Sequence, residues 1–68
     1  MNVAAEAADI HTAVAMLPDD ERSVTELIFY QGLSQEEAAL MLGVDVRTVQ
    51  RQWQRARRNL GSMLSPIE

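Results

Sequence analysis

Seven of the polar side chains within twelve residues of the sequence stand out: Arg47, Thr48, Gln50, Arg51, Gln54, Arg55 and Arg58. Each is of a type that meets DNA. Arginine forks onto guanine or onto phosphate, glutamine onto adenine, and threonine reaches a phosphate with its hydroxyl or a thymine with its methyl. Val46, Val49, Trp53, Ala56 and Leu60 are interleaved with them at spacings of three and four, the period of one buried stripe on a helix. About 14 residues at 1.5 Å each make a rod of roughly 21 Å, enough to lie in a groove about 12 Å wide. In that geometry the front turns reach the bases, so Arg47, Gln50 and Arg51, with Gln54 beside them, are candidates for reading sequence. Thr48, Arg55 and Arg58 are candidates for holding phosphates. Taken singly, each would also serve as an exposed helix former; the set is what points to nucleic acid.

Charge is partitioned in the same sense. The formal net charge is −4, yet residues 1–45 carry nine acidic residues against Arg22, a formal −8. Residues 46–68 carry five arginines against Glu68, a formal +4. A basic segment beside an acidic remainder is the footprint of a nucleic-acid reader whose other surfaces repel phosphate, although a solvated basic helix face would give the same count.

Other chemistries find no footing. Without cysteine there is no disulfide, thiolate metal site or cysteine nucleophile, and the chain suits a reducing compartment, the cytoplasm. His11 stands alone and reads as an exposed helix position, not a metal ligand. Glu36 and Glu37, adjacent on a helix, point about 100° apart and cannot readily flank one substrate as an acid–base pair. No glycine-rich phosphate loop or Ser/His/Asp set occurs. The expectation is a non-enzyme with no cofactor and no metal. With no apolar window near the roughly 18 residues of a membrane span, no membrane partner is expected either.

The elements that must position the seven follow from local signals. With 68 residues, 47% of them hydrophobic, three glycines and two prolines, the chain reads as one all-α domain over 1–68. It should hold four to five helices and no β wing, with a helix-turn-helix over about 34–60. A first helix is expected over roughly 4–17, on the spacing of Ile10, Val14 and Leu17. Pro18 ends it or starts the next turn, and Asp19 or Asp20 can cap a second helix over about 20–31. That helix carries Val24, Leu27 and Ile28, with Tyr30 or Gln31 near the same face, and Gly32 stops it. Ser34-Gln35-Glu36-Glu37 spells a capping box for a third, short helix that Gly43 closes. Asp45 is placed to cap a fourth helix from Val46 to about Leu60, ended near Gly61 and followed by a frayed tail. Ala38, Ala39 and Leu42, with Val44, Val46, Val49 and Trp53, would close the core between the last two helices. Trp53 is therefore assigned to packing, not to stacking on a base.

Residues 17–60, LPDDERSVTELIFYQGLSQEEAALMLGVDVRTVQRQWQRARRNL, resemble region 4 of the sigma-70 family, especially its extracytoplasmic-function group. The resemblance rests on Leu17-Pro18 with Glu21-Arg22, Gly32-Leu33-Ser34, Glu36-Glu37-Ala38-Ala39, Leu42-Gly43-Val44, Thr48-Val49 and Arg55-Ala56-Arg57. Ala38 stands where the family more often has Ile, and Trp53 where Leu is commoner, which suggests a divergent subgroup. The resemblance implies a domain that binds the minus-35 element of double-stranded promoter DNA through the helix at 46–58. It also implies docking on the β flap of the RNA polymerase core, with an anti-sigma factor as a further candidate partner. The apolar groups of the first two helices, with Phe29 and Tyr30, are candidates for such protein contacts, but a core role is the preferred reading and none is assigned. Two rivals remain open: a helix-turn-helix regulator that binds an operator as a dimer, and an interaction module that binds polymerase or an anti-sigma factor without DNA.

Overall fold

A computed structural model describes residues 10–64. Four helices follow one another: α1, helical over residues 10–15; α2, Asp19–Thr25, which continues as a wider π turn over Glu26–Tyr30; α3, Gln35–Leu42; and α4, Val46–Leu64. No strand occurs among the described residues, and the all-α expectation holds.

The stretch 4–9 of the expected first helix lies outside the described residues. At its other end α1 stops before residue 17. The N–H of Met16 donates to the carbonyls of Thr12 and Ala13, both at 3.1 Å, and that of Leu17 to Val14 at 3.1 Å, so the last turn tightens. Pro18 biases its predecessor away from helical backbone, which explains the stop. Arg22 then reaches back, its Nη1 donating to the carbonyls of Leu17 (3.4 Å) and Ala15 (3.5 Å) that the ended helix leaves without partners.

Neither Asp19 nor Asp20 caps α2. The N-cap is Pro18, which has no N–H to satisfy and whose φ of −55° suits a helix start; no side-chain cap bond forms there. The helix thus begins one residue early and takes both aspartates into its first turn, where negative charge is still favourable. Asp19 Oδ1 accepts from Arg22 Nη2 at 2.7 Å, and Asp20 Oδ1 accepts from the Glu21 N–H at 2.7 Å.

Beyond Thr25 the helix widens. The buried Thr25 hydroxyl donates to the Glu21 carbonyl at 2.8 Å, and further on the Gln31 N–H donates to Glu26 at 3.1 Å, a step of five residues. Ile28 still packs against the core, but the face that places Val24 and Leu27 there is not continued by Phe29 and Tyr30. Phe29 is 54% exposed and Tyr30 43% exposed, which overturns the preferred core reading for both. Gly32, at φ +73°, then turns the chain as expected.

The capping box forms in full. Ser34 Oγ accepts from the Glu37 N–H at 3.0 Å, and Glu37 Oε1 accepts from the Ser34 N–H at 2.8 Å. Gly43 closes α3 in the left-handed region at φ 70° and ψ 32°. At the start of α4 the Asp45 carbonyl accepts from the Val49 N–H at 3.2 Å. The expected end of α4 near Gly61 is not observed, because Gly61 does not adopt the positive φ that stops α3. The helix passes through it to Leu64, and Met63 and Leu64 line an open groove together with Thr12, Ala13 and Met16 of the first helical segment.

The core is Val24 and Leu27 from α2 and its π turn, Ala38 and Ala39 from α3, and Val49 from α4. Ile28, Leu33, Leu42, Val46 and Trp53 pack against it. Val44, expected within this core, is 40% exposed: with Gly43 closing α3, the turn carries Val44 past the helix end. One polar link crosses the interior. Asn59 Nδ2 donates to the buried Glu21 carboxylate at 2.6 Å and ties α4 to α2 across 38 positions in sequence.

Candidate nucleic-acid interface

The turn Gly43-Val44-Asp45 separates α3 from α4, so the two helices form a helix-turn-helix. Local sequence sets its geometry. The capping box fixes where α3 begins, Gly43 fixes where it ends, and the buried Ala38 and Ala39 let α4 approach until Val49 is fully buried. With Val49 and Ala56 turned inward, and Val46, Trp53, Asn59 and Leu60 half-buried on the same side, the rest of the helix must face out.

Of the seven candidate residues, Arg47, Gln50, Arg51, Gln54, Arg55 and Arg58 are exposed, and Thr48 is half-buried at the edge of the same face. At about 100° per residue, Arg47, Arg51, Gln54 and Arg58 share an arc of about 60° opposite the buried stripe. From Arg47 to Arg58 the face extends about 16 Å along the axis. Arg57, left out of the candidate set, is exposed as well. The signal that finds it is the exposed arc measured from the buried Ala56 next to it.

The face is free to meet an anion. Among the described residues, the five arginines of α4 have neither an ion-pair partner nor a side-chain hydrogen bond. The sixth, Arg22, is occupied with Asp19 and the end of α1, so the chain's one cation outside α4 serves the fold. Trp53 is half-buried and packs against the core. His11 is exposed, as expected, and its Nδ1 lies 2.9 Å from the Tyr30 hydroxyl with the rings stacked at 5.5 Å. Glu37 is held in the capping box. Among the described residues no cluster of three or more His, Asp or Glu could hold a metal ion, and no helix is long and apolar enough to cross a membrane.

A different surface lies away from the arginines. Leu40 is 83% exposed and Met41 66%, and together with Gln31, Leu33 and Glu37 they line a shallow groove along α3. Phe29 and Tyr30 add two exposed rings, 5.4 Å apart. Apolar side chains amid carboxylates are suited to a protein and unsuited to a phosphate backbone.

The family model described as Sigma-70, region 4 matches residues 7–60. The match takes in α3, the turn and α4 as far as Leu60, and begins ten residues before Leu17, where the motifs read from the sequence begin. A comparison with curated proteins returns no match.

Proposed function

Because the chain belongs to the sigma-70 region 4 family, whose members are DNA-binding regulatory domains and not enzymes, we propose that it recognises the minus-35 promoter element as region 4 of a sigma factor of the extracytoplasmic-function group. Recognition of promoters and interaction with RNA polymerase follow from the family. The finer assignments are this proposal's own.

The observation that supports it most is the outward face of α4, where Arg47, Arg51, Gln54 and Arg58 form one unpaired arc on the second helix of a helix-turn-helix. In this arrangement the N-terminal turns of the second helix meet base edges. Arg47, Gln50, Arg51 and Gln54 accordingly read bases. Thr48 and Arg55 hold phosphates, and so does Arg58, because a straight helix about 16 Å further along has begun to leave a curving groove. The β flap of polymerase docks on the opposite, acidic and apolar surface, which an anti-sigma factor would contest. A cytoplasmic location goes with that partner.

The test is selection from a randomised duplex pool combined with a salt titration. An enriched non-palindromic motif, with a log–log slope near −0.9 per neutralised phosphate, supports the assignment. A palindrome points instead to a dimeric regulator. Absence of binding even at low salt, together with capture of the isolated flap, points to a protein-interaction module.

A further inference from the structure

From the exposed arc of α4 we infer that Arg57 holds a phosphate, and that α4 grips the two strands of the duplex from opposite edges, Arg57 on one and Thr48 and Arg55 on the other. The inference rests on α4 being the groove helix.

Around the axis, Arg57 lies about 90° to one side of the central arc, and Thr48 and Arg55 about 80° to the other. Thr48 and Arg55 are separated by seven residues, two turns, so they stand about 10 Å apart on one edge. A helix about 10–12 Å across, side chains included, fills a groove about 12 Å wide. Side chains at the centre of the arc then face the floor, and those about 80–90° away face the walls, where the phosphates of the two strands run.

Arg57 has no competing task in the fold. It is exposed and, among the described residues, has no ion-pair partner, and with Gln54 and Arg58 it lines an open notch on the helix surface. Its guanidinium offers the paired N–H donors that two phosphate oxygens accept. On the other edge Arg55 is exposed and Thr48 is half-buried. Arginines on both edges also fix the roll of α4 about its own axis, which determines that Arg47, Arg51 and Gln54 meet the floor together.

The experiment uses the full chain and a duplex carrying the selected site, with single neutral methylphosphonates placed at successive positions on each strand. Wild type, Arg57→Gln, Arg57→Lys and Arg55→Gln are compared. Arg57→Gln is expected to weaken selected and scrambled duplexes alike, to lower the salt slope by about 0.9, and to abolish sensitivity to neutralisation on one strand only. Arg55→Gln should do the same for the opposite strand, and Arg57→Lys should restore the slope. Arg55 and Arg57 mapping to one strand, or a slope unchanged in Arg57→Gln, overturns the inference while leaving promoter recognition in place. Failure of the wild type to bind any duplex removes the underlying reading of α4 and the inference with it.

Discussion

The outward faces of α3 and α4 belong to neighbouring helices joined by three residues, yet they expose opposite chemistry. Along α4 the surface is arginine and glutamine, with the cations unpaired among the described residues. Along α3 it is Glu36, Leu40 and Met41, with Glu37 turned back into its own cap. A duplex brought to α4 meets attraction, and the same duplex brought to α3 meets carboxylates and apolar surface that give a phosphate no partner. The difference shows how a chain of formal charge −4 can read DNA: sign is segregated by helix, and the small shared core holds the two surfaces apart.

The most drastic way to break the contrast is through that core. Leu27→Ala removes a buried side chain that packs with Ala38, Ala39 and Val49, and should cost about 2–5 kcal/mol. At roughly 0.05–0.15 kcal/mol per residue, the whole module has stability of similar order. The expected outcome is a circular-dichroism melt with a midpoint far below wild type and loss of both DNA and polymerase binding. A variant that melts normally would show that the core is not shared.

The next effect is confined to α4. Arg51→Ala should relax base preference by about 1–3 kcal/mol of discrimination, whereas Arg58→Ala should weaken all sequences alike and reduce the salt slope by about 1. Equal effects on specificity from both would refute the division of roles along the helix. Neither variant should move the melting midpoint appreciably, since both side chains are exposed.

How far such contrasts could be read from sequence depended on whether the deciding interaction was local. Ser34, Glu37 and Gly43 act on backbone groups within four residues of themselves, so the limits of α3 were legible, and the stripe of Val49, Trp53 and Ala56 fixed which side of α4 faces out. Where a signal competed with tertiary contact or with its neighbour, it misled. Gly61 looked like a stop but α4 continues through it to Leu64, and Asp19 looked like a cap although Pro18 had already begun the helix. The π turn after Thr25 left no signature in the spacing, and the core role preferred for Phe29 and Tyr30 did not hold. The departures from family pattern make sense together: the volume absent at Ala38 and the volume added at Trp53 fall in the same cluster.

A smaller effect tests the join between the two faces. Ser34→Ala removes the acceptor for the Glu37 N–H and should destabilise by about 1 kcal/mol. Gly43→Ala meets no steric neighbour but forces a side chain onto φ +70°, at a cost of about 1–2 kcal/mol. Thermal melts check both. Because Gly43 sets the direction in which α4 leaves α3, its substitution should also reduce DNA affinity at temperatures where the domain remains folded, and Ser34→Ala should not.

The smallest expected effect addresses what the acidic surface contributes to DNA binding. Asp19 is almost fully exposed, and its pair with Arg22 spans one helical turn, so Asp19→Asn should change stability by only a few tenths of a kcal/mol. Arg22 would retain its bonds to the end of α1. If the acidic half acts on DNA only through its field, removing one carboxylate should raise affinity slightly at low salt. That gain should vanish near 0.15 M, where the screening length is about 8 Å. A gain that persisted at high salt would mean that Asp19 lies against the duplex. In that case α2 would belong to the DNA-facing surface, and the boundary between the two faces would have to be redrawn on the α2 side of α4.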